Sequence, residues 1–343
     1  MTASTRLLTC AVLALAAPAL SALTDSAVAQ SRVGTTAGAF LQVPTGARYI
    51  ATGETAVATA NDAGAMFWNP AGIVNVRGGE VAFEHTEWVA GTQLEYAGGV
   101  LQLPGPGTVG AHFYLFNSGE MDVTTLDFED GTGESFRVQD LSIGLSYARR
   151  LTDDFDIGGT LKYVSTQVFR STASAVAADV GVQYRTPLDN MTLGFGIFNF
   201  GSEMRLAGDN TSVRTDLDPT TAGDNDGILA NLATQSWDLP LLFRIGVAYD
   251  ALRADNVQVR VASDAYFPND NNQYVNLGAE VTLLDTVVLR GGLSNLFLDD
   301  TFGQGSLRLG GGIKIGGAVR ADYAFADRGD LGMINSIGAS VRF

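Results

Sequence analysis

The sequence predicts an all-β protein, a transmembrane antiparallel β-barrel of about 14 strands with an N-terminal hatch segment in the lumen. Segments of about ten residues alternate apolar with polar or small side chains from residue 79 onward. The composition, with 41 Gly, 46% hydrophobic and only 17% charged residues, is atypical of a disordered chain or a soluble enzyme. Beyond residue 29, no apolar run is long enough for a membrane-spanning helix, so a membrane location requires a closed barrel.

Residues 1 to 29 are predicted to be a cleaved secretory signal peptide. Arg6 supplies a positive charge, residues 7 to 23 are mostly apolar, and Ala29 ends a small-x-small cleavage site. A membrane anchor is the weaker alternative, because Pro18 interrupts the apolar run and no stop-transfer charges follow it. The only cysteine, Cys10, lies in this leader, which excludes disulfides and cysteine chemistry from the mature chain.

Residues 30 to 78 form the predicted hatch segment. They lack strand alternation, are rich in Ala and Gly, and end in the turn-like sequence Trp68-Asn69-Pro70-Ala71-Gly72. Fourteen strands enclose a lumen wider than their own side chains can fill. We therefore expect a short helix and a loop that plug the periplasmic half of the barrel, with a flexible periplasmic leader as the alternative.

Residues 79 to 343 are the predicted barrel domain. From residue 241 to residue 251, for example, Phe243, Ile245 and Val247 share one face, and a spacing of two predicts a strand. Two segments alternate poorly, so twelve or sixteen strands stay open. The fourteen predicted segments are 79–89, 92–103, 108–125, 140–151, 155–168, 175–186, 191–204, 240–252, 257–268, 273–285, 286–297, 306–317, 318–328 and 332–343.

Connections between these segments differ in length. Several are tight turns, which are expected to face the periplasm, whereas residues 117–139 and 205–239 form long acidic loops that are expected to face outside. The second loop concentrates six Asp residues, whose oxygens suit Ca²⁺. The spacing does not match an EF-hand loop, so calcium binding is an open alternative to a solvated acidic surface.

A secreted sandwich or propeller is the alternative to a membrane barrel, since its strands alternate as well. The second face of these strands is dominated by Gly, Ala, Ser and Thr, as in a crowded lumen, and lacks the many Lys and Glu of a water-facing sheet. The chain also ends on Phe343, and a terminal aromatic on an alternating strand is similar to the insertion signal of bacterial outer-membrane proteins. We therefore predict the bacterial cell outer membrane, with the lipid bilayer, lipopolysaccharide and the outer-membrane insertion machinery as partners.

Several charged side chains are predicted to point into the lumen. Most are expected to pair across the wall or with the hatch, which gives a lumen of balanced charge. A sharper hypothesis is an anion patch that receives a carboxylate group, because arginine binds carboxylates through its planar fork. The candidate residues of this patch are Arg290, Arg308, Lys314 and Arg320.

The sequence predicts no enzyme and no cofactor. The two histidines, His85 and His112, lie in strand-like segments without the serine and carboxylate arrangement of a triad or the spacing of a metal site. The formal net charge of −16 argues against nucleic acid as a partner. Aromatic residues such as Tyr49, Trp68 and Tyr96 are expected to form interfacial girdles.

The N-terminal motifs resemble the PorV/PorQ family, within the wider FadL-like outer-membrane superfamily. These motifs are Gly46-Ala47-Arg48, Asn61-Asp62-Ala63 and Trp68-Asn69-Pro70-Ala71-Gly72, and further similar stretches are residues 278–284, 289–293, 322–325 and 329–332. On this resemblance the hatch motif comprises Asn61, Asp62, Trp68, Asn69 and Pro70.

The resemblance implies two functions. A PorV-like protein binds secreted cargo proteins in type IX secretion, with its site on the extracellular loops and the upper lumen. A FadL-like protein carries long-chain fatty acids or other hydrophobic small molecules past a hatch that shifts. The motifs favour the first function and leave the second as the alternative.

Overall fold

The computed structural model describes residues 33–188, 190–215, 228–298 and 306–343. The predicted signal peptide, residues 1 to 29, lies outside this part of the chain. Fourteen long antiparallel strands form one sheet, which closes because β1 pairs with β14 and β6 pairs with β7. The strands are β1 (Gly79–Glu87), β2 (Gln93–Gln102), β3 (Gly107–Asn117), β4 (Val138–Thr152), β5 (Phe155–Val168), β6 (Ser171–Arg185), β7 (Met191–Gly201), β8 (Leu242–Ala254), β9 (Val257–Pro268), β10 (Tyr274–Leu283), β11 (Val287–Leu296), β12 (Leu307–Ile315), β13 (Val319–Asp327) and β14 (Met333–Arg342).

The predicted fourteen-stranded barrel is thus confirmed. Two of its strands, 155–168 and 257–268, begin and end where the alternation predicts. The third strand ends at Asn117 instead of residue 125, and the sixth begins at Ser171 instead of residue 175. These ends fall in polar or small-residue sequence, where alternation carries little signal.

The two faces of the wall differ as a membrane barrel requires. On β4 and β5, the paired side chains of Leu145 and Leu161 point outward and are 66% and 61% exposed. Their neighbours Ser146 and Thr160 point inward, are buried, and share a hydrogen bond of 2.7 Å. The outer face therefore offers apolar side chains to lipid, while the lumen is lined by polar ones.

The register shifts at four places in the ladder of the described strands, and two of these β-bulges contain an asparagine. Opposite Asp179, β7 carries one extra residue, and Asn199 there adopts a left-handed φ of 62°. Its backbone N–H donates to Asp179 Oδ1 (2.7 Å). Asn295 on β11 has a φ of 60° and donates in the same way to Asn276 Oδ1 (2.8 Å). In both bulges an asparagine tolerates the left-handed conformation, and a side chain replaces the missing ladder partner.

The barrel has a short-turn end and a long-loop end. At the short-turn end, connections such as 153–154, 255–256 and 316–318 are tight. At the long-loop end, residues 118–137 and 202–241 connect strands. Their short elements are the strands Met121–Asp122, Ser135–Phe136, Met204–Arg205, Ala207–Gly208, Ser212–Thr215, Ile228–Asn231 and Ser236–Trp237, with 3-10 helices at Asp209–Thr211 and, in other connections, at Val89–Gly91 and Gly329–Leu331.

Residues 36–77, here named the lumen segment, lie inside the barrel. The segment contains the 3-10 helices Ala39–Gln42 and Pro70–Asn75 and the short helices α1 (Ala47–Ala51) and α2 (Ala65–Trp68). It is hydrogen-bonded to β1 through Glu84, to β6 through Val182 and to β9 through Asp264, so the wall surrounds it.

The lumen segment begins near the long-loop end. Thr36 and Gln42 donate to the two carboxylate oxygens of Asp270 (2.7 and 2.9 Å), which lies between β9 and β10. The backbone N–H of Ala37 donates to the carbonyl oxygen of Asp238 (2.9 Å). The sequence predicts a segment confined to the periplasmic half of the barrel. The segment extends beyond that half.

No helix in the described part of the chain has the length and apolar character needed to cross a bilayer.

Candidate functional site: the lumen and its polar network

Asn69 connects the lumen segment to the wall through hydrogen bonds. Its side-chain amide donates to the carbonyl oxygens of Val57 (2.7 Å) and Val182 (2.9 Å), and Val182 belongs to β6. Its side-chain oxygen accepts from the backbone N–H of Ala71 (3.1 Å) and caps the 3-10 helix that begins at Pro70. Because Asn69 is fully buried, losing these bonds would leave buried polar groups without partners.

Two wall glycines make room for this motif. A Cβ atom on Gly181 would lie 2.0 Å from Asn69 Oδ1, and one on Gly158 would lie 2.5 Å from the carbonyl carbon of Pro70. Both distances are far below van der Waals contact. The small side chains of the inner face therefore allow the lumen segment to approach the wall closely.

Trp68 is buried inside the lumen. Its indole N–H donates to the carbonyl oxygen of Thr45 (2.9 Å), and its ring lies 5.7 Å from that of Tyr49 and 5.2 Å from that of Phe67. Tyr96 also points inward and donates to the carbonyl oxygen of Ala63 (2.8 Å). The expectation that Tyr49, Trp68 and Tyr96 belong to interfacial girdles is therefore wrong, because the lumen segment supplies inward partners that strand parity does not reveal.

Asp62 is the centre of a buried polar cluster. It accepts hydrogen bonds from Arg48 (2.8 Å), the Tyr49 hydroxyl (2.5 Å) and Arg320 of β13 (2.7 Å). Asn61 accepts a further bond from Arg48 (2.7 Å). Asn61 and Asp62 of the motif thus organise one part of the lumen segment and join it to the wall.

Electrostatics keeps this cluster charged at neutral pH. Burial alone would raise the pKa of Asp62, but the guanidinium groups of Arg320 and Arg48 hold it well below its usual range. Burial raises the pKa of the Tyr49 phenol, and the nearby Asp62 carboxylate raises it further. Asp62 is therefore a carboxylate and Tyr49 a neutral donor.

A chain of ion pairs continues along the wall from this cluster. Arg290 pairs with Glu280 (2.8 Å) and Asp322 (2.6 Å), and Arg320 also pairs with Asp322 (2.8 Å). Arg48 approaches Glu280 at 3.7 Å. Three strands and the lumen segment are thus linked through alternating charges.

A cavity of about 230 Å³, here named the basic cavity, lies beside these ion pairs at the short-turn end of the barrel. Lys314 contributes an ammonium group that makes no hydrogen bond or ion pair with any residue the structure describes. The charged residues lining the cavity are the cations Arg48, Arg260, Arg290, Lys314, Arg320 and Arg342 and the acids Asp250 and Glu280.

Arg308 lies apart from the other three residues of the predicted anion patch. It approaches Glu54 of the lumen segment at 3.4 Å and donates to the carbonyl oxygen of Asp327. Arg328 also pairs with Glu54 (3.1 Å) and covers the ring of Trp88 at 4.7 Å. Burial lowers the pKa of Arg328 to about 10, although Glu54 opposes this shift. Arg290, Lys314 and Arg320 line one cavity, and Arg308 belongs to another cluster nearer the long-loop end.

Arg244 is a buried cation of β8. The alternation of the strand predicts that it points into the lumen, but it does not predict which residues surround it. Its guanidinium lies between 4.6 and 5.9 Å from the ring centres of Phe67, Trp68, Phe198 and Tyr266. Its Nε and Nη1 atoms have no hydrogen-bond partner among the described residues. The aromatic faces therefore contribute to its local stabilisation.

His112 and Ser142 line a small cavity next to Arg244. The Nδ1 atom of His112 and the hydroxyl of Ser142 have no partner in the described structure, so they are not bonded to each other. Asp179 of the same cavity is held by Lys162 at 2.8 Å. The cavity, of about 10 Å³, has room for a water molecule and not for a substrate.

His85 lies on the outer face of the barrel. Its Nδ1 atom is 2.6 Å from Glu95 on the neighbouring strand β2. Sequence spacing does not reveal this pair, since it depends on the register between β1 and β2.

Phe343 ends the chain at the short-turn end. Its backbone exchanges two hydrogen bonds with Gly79, at 2.8 and 3.0 Å, and its side chain is 72% exposed. The terminal aromatic therefore remains accessible next to the seam between β14 and β1.

The acidic long loop is described only in part. Asp209 and Asp238 are described, whereas Asp216, Asp218, Asp224 and Asp226 lie outside the described residues. Within residues 33–188, 190–215, 228–298 and 306–343, no group of three or more His, Cys, Asp and Glu side chains is arranged to hold a metal ion.

Solved structures with the same architecture place the chain in a class. The monoaromatic hydrocarbon channel CymD is 13% identical, covers 88% of this chain and 98% of its own, and gives a TM-score of 0.59. A toluene transporter TodX of Pseudomonas putida is 14% identical over 85% and 96%, with a TM-score of 0.53. A FadL homologue of Pseudomonas aeruginosa is 13% identical over 88% and 99%, also with a TM-score of 0.53. At these identities the likeness shows the fold, a FadL-like barrel.

The N-terminal part of the chain is similar to a known family. Residues 26–186, 161 of the 343 residues, match the family described as type IX secretion system protein PorV. The predicted resemblance to PorV is confirmed over this range, and the protein is a β-barrel of the bacterial outer membrane that is similar to PorV in its N-terminal half. No curated protein matches the chain.

Proposed function

We propose that this protein binds secreted cargo proteins at the long-loop end, as part of or related to type IX protein secretion, without enzymatic activity. The PorV family match over residues 26–186 supports the secretion role. The observation that carries the binding site is the exposure of apolar side chains on the two long connections.

These side chains lie outside the barrel strands. Leu126 and Phe128 of the first long connection are 96% and 60% exposed, and Leu229 and Leu232 of the second are 67% and 57% exposed. Apolar side chains that face water instead of lipid favour a protein partner. A secreted protein reaching the outer surface is the partner that the PorV match supports.

The packing of the lumen favours a surface site over a conduit. Phe40 and Leu41 pack with Tyr114 and Leu239 toward the long-loop end, and Trp68 packs in a second buried cluster of the lumen. The lumen segment then acts as a hatch that keeps the barrel closed while cargo is bound outside. Passage of a molecule would require the bonds of Asn69 and Asp62 to break.

A FadL-like conduit for fatty acids or other hydrophobic compounds is the alternative. Its support is the fold shared with structures described as hydrocarbon and toluene channels. Mass spectrometry of the detergent-purified protein tests it. A stoichiometric bound amphiphile would favour the conduit, and its absence would weigh against it.

Capture of secreted substrates by the tagged protein tests the proposal. The double variant Phe128→Asp and Leu229→Asp is expected to lower capture at least about tenfold, since one buried apolar anchor contributes about 1–3 kcal/mol to a protein interface. Leu331→Asp is the matched control, because Leu331 is 57% exposed in another connection at the long-loop end. Equal capture by all three proteins, or none by the wild type together with normal secretion in a deletion strain, would refute the proposal.

A further inference from the structure

The basic cavity concentrates positive charge in an otherwise acidic protein. The whole chain carries a formal net charge of −16, whereas six cations and two acids line this cavity. The five arginines each pair with an acid, as in the pairs of Arg290 with Glu280, Arg260 with Asp250 and Arg342 with Glu80. The remaining excess of positive charge lies around Lys314.

Lys314 lacks the compensation that its neighbours have. It is paired in register with Arg320, directly opposite on β13, and like charges in that position destabilise a sheet. No acid of the described chain reaches its ammonium group within ion-pair distance, and the group is only partly exposed. An anion in the cavity would satisfy it and relieve the repulsion.

The cavity joins two parts of the molecule. Lys314, Arg290 and Arg320 belong to the wall, whereas Arg48 and Asn61 belong to the lumen segment. Arg48 already contacts Glu280 and Asp62, so its position depends on the local balance of charge. An anion bound here would contact both the wall and the segment.

We propose that the basic cavity is a binding site for a dianionic phosphate group, entered from the short-turn end. Several converging cations favour a dianion over a single carboxylate, and guanidinium groups bind phosphate oxygens in pairs. The volume of about 230 Å³ accommodates a phosphate group with room for a small substituent. The turn residues Gly317 and Ala318 line the cavity, so its mouth is at the side expected to face the periplasm.

This site is independent of cargo binding at the opposite end. A phosphate group could belong to free phosphate or to a phosphorylated saccharide or lipid headgroup. Inorganic phosphate and a soluble sugar phosphate are therefore both used as probes, and a stronger response to the sugar phosphate would identify a substituted phosphate as the ligand.

Calorimetric titration of the purified protein in detergent, at constant ionic strength and pH 7.5, tests the site. We expect phosphate to bind the wild type, and Lys314→Gln to weaken binding about tenfold or more, since a hydrogen bond to a charged group contributes that much. Arg77→Gln is the control, because Arg77 is an exposed cation just before β1 that does not line the cavity. No binding of either phosphate by the wild type, or equal loss in both variants, would overturn the proposal.

Thiol labelling gives a second measurement that does not depend on a loss of charge. Ser340 is buried and lines the cavity, and Ser340→Cys on a Cys10→Ser background introduces a single thiol. Phosphate is expected to slow the reaction of this thiol with a small anionic reagent severalfold, and chloride at the same ionic strength is not. An identical rate in phosphate and chloride would contradict a site in this cavity.

Discussion

The charge of Asp62 should decide whether the lumen segment stays docked. In the variant Asp62→Asn, Arg48 and Arg320 lose their shared carboxylate, while each keeps a second acid: Glu280 at 3.7 Å and Asp322 at 2.8 Å. Breaking a buried ion pair costs about 3–5 kcal/mol when it leaves a charge uncompensated. Because both arginines retain a partner, we expect about 3 kcal/mol, which is about a 100-fold shift toward the undocked segment.

The effect has a defined dependence on pH. The pKa of Asp62 is lowered in the folded protein, so its ionised form stabilises docking at every pH above the unfolded pKa of about 4. As the pH falls below about 4 toward the folded pKa, this contribution is lost. The difference between wild type and Asp62→Asn should therefore be constant from pH 5 to 8, within about 0.5 kcal/mol, and shrink under more acidic conditions.

Fluorescence of Trp68 provides the assay. The chain has three tryptophans, and replacing Trp88 and Trp237 by phenylalanine leaves Trp68, which is buried in the lumen segment. Urea titration in detergent micelles then follows undocking by the red shift of its emission. Asp154→Asn is the control, since this exposed turn residue has no side-chain partner in the described structure. Equal midpoints for Asp62→Asn and wild type at pH 7, or a difference that grows on acidification, would refute the reasoning.

Two further predictions concern the wall and the chain terminus. Gly181→Ala places a methyl group 2.0 Å from Asn69 Oδ1 and should destabilise docking by about 1–3 kcal/mol in the same assay, whereas Gly291→Ala, whose Cβ meets Leu309 at 3.5 Å, should change it little. Phe343→Ala should lower the fraction of folded barrel in the outer membrane, measured by heat-modifiable migration in gels. If Val341→Ala lowers that fraction equally, the terminal ring has no special part in insertion.

The barrel could be predicted from sequence because the alternation that indicates each strand lies within that strand. Each strand carries its own alternation, so the strand count and several boundaries, such as those of β5 and β9, follow without knowledge of the partners. Strand parity also identifies Arg244 and Arg290 as inward residues. Parity predicts the face of a strand on which a residue lies and not its height along the barrel, so it groups Arg308 with Lys314 although the fold separates them.

The candidate site depends on contacts that no local pattern encodes. Asp62 meets Arg320 across 258 residues of sequence, and Asn69 meets Val182 across 113. The register of distant strands and the path of the lumen segment decide these contacts. The motif around Asn69 could be recognised from its residues, whereas the aromatic cage of Arg244 required the fold.

Strands β6 and β7 differ in height at the mouth of the barrel. Pairing between them begins at Ala177, so Ser171 to Val176 continue upward past the last paired residue of β7, Gly201. Six residues of extended chain correspond to about 20 Å. The first residues of the longest connection lie against this extension of β6, because Ser202 bonds to Val176 and the short strand Ala207–Gly208 pairs with Thr172 and Ser171. If a folded cargo protein binds at this rim, the projecting strand β6 restricts the orientations about the barrel axis in which that protein can approach.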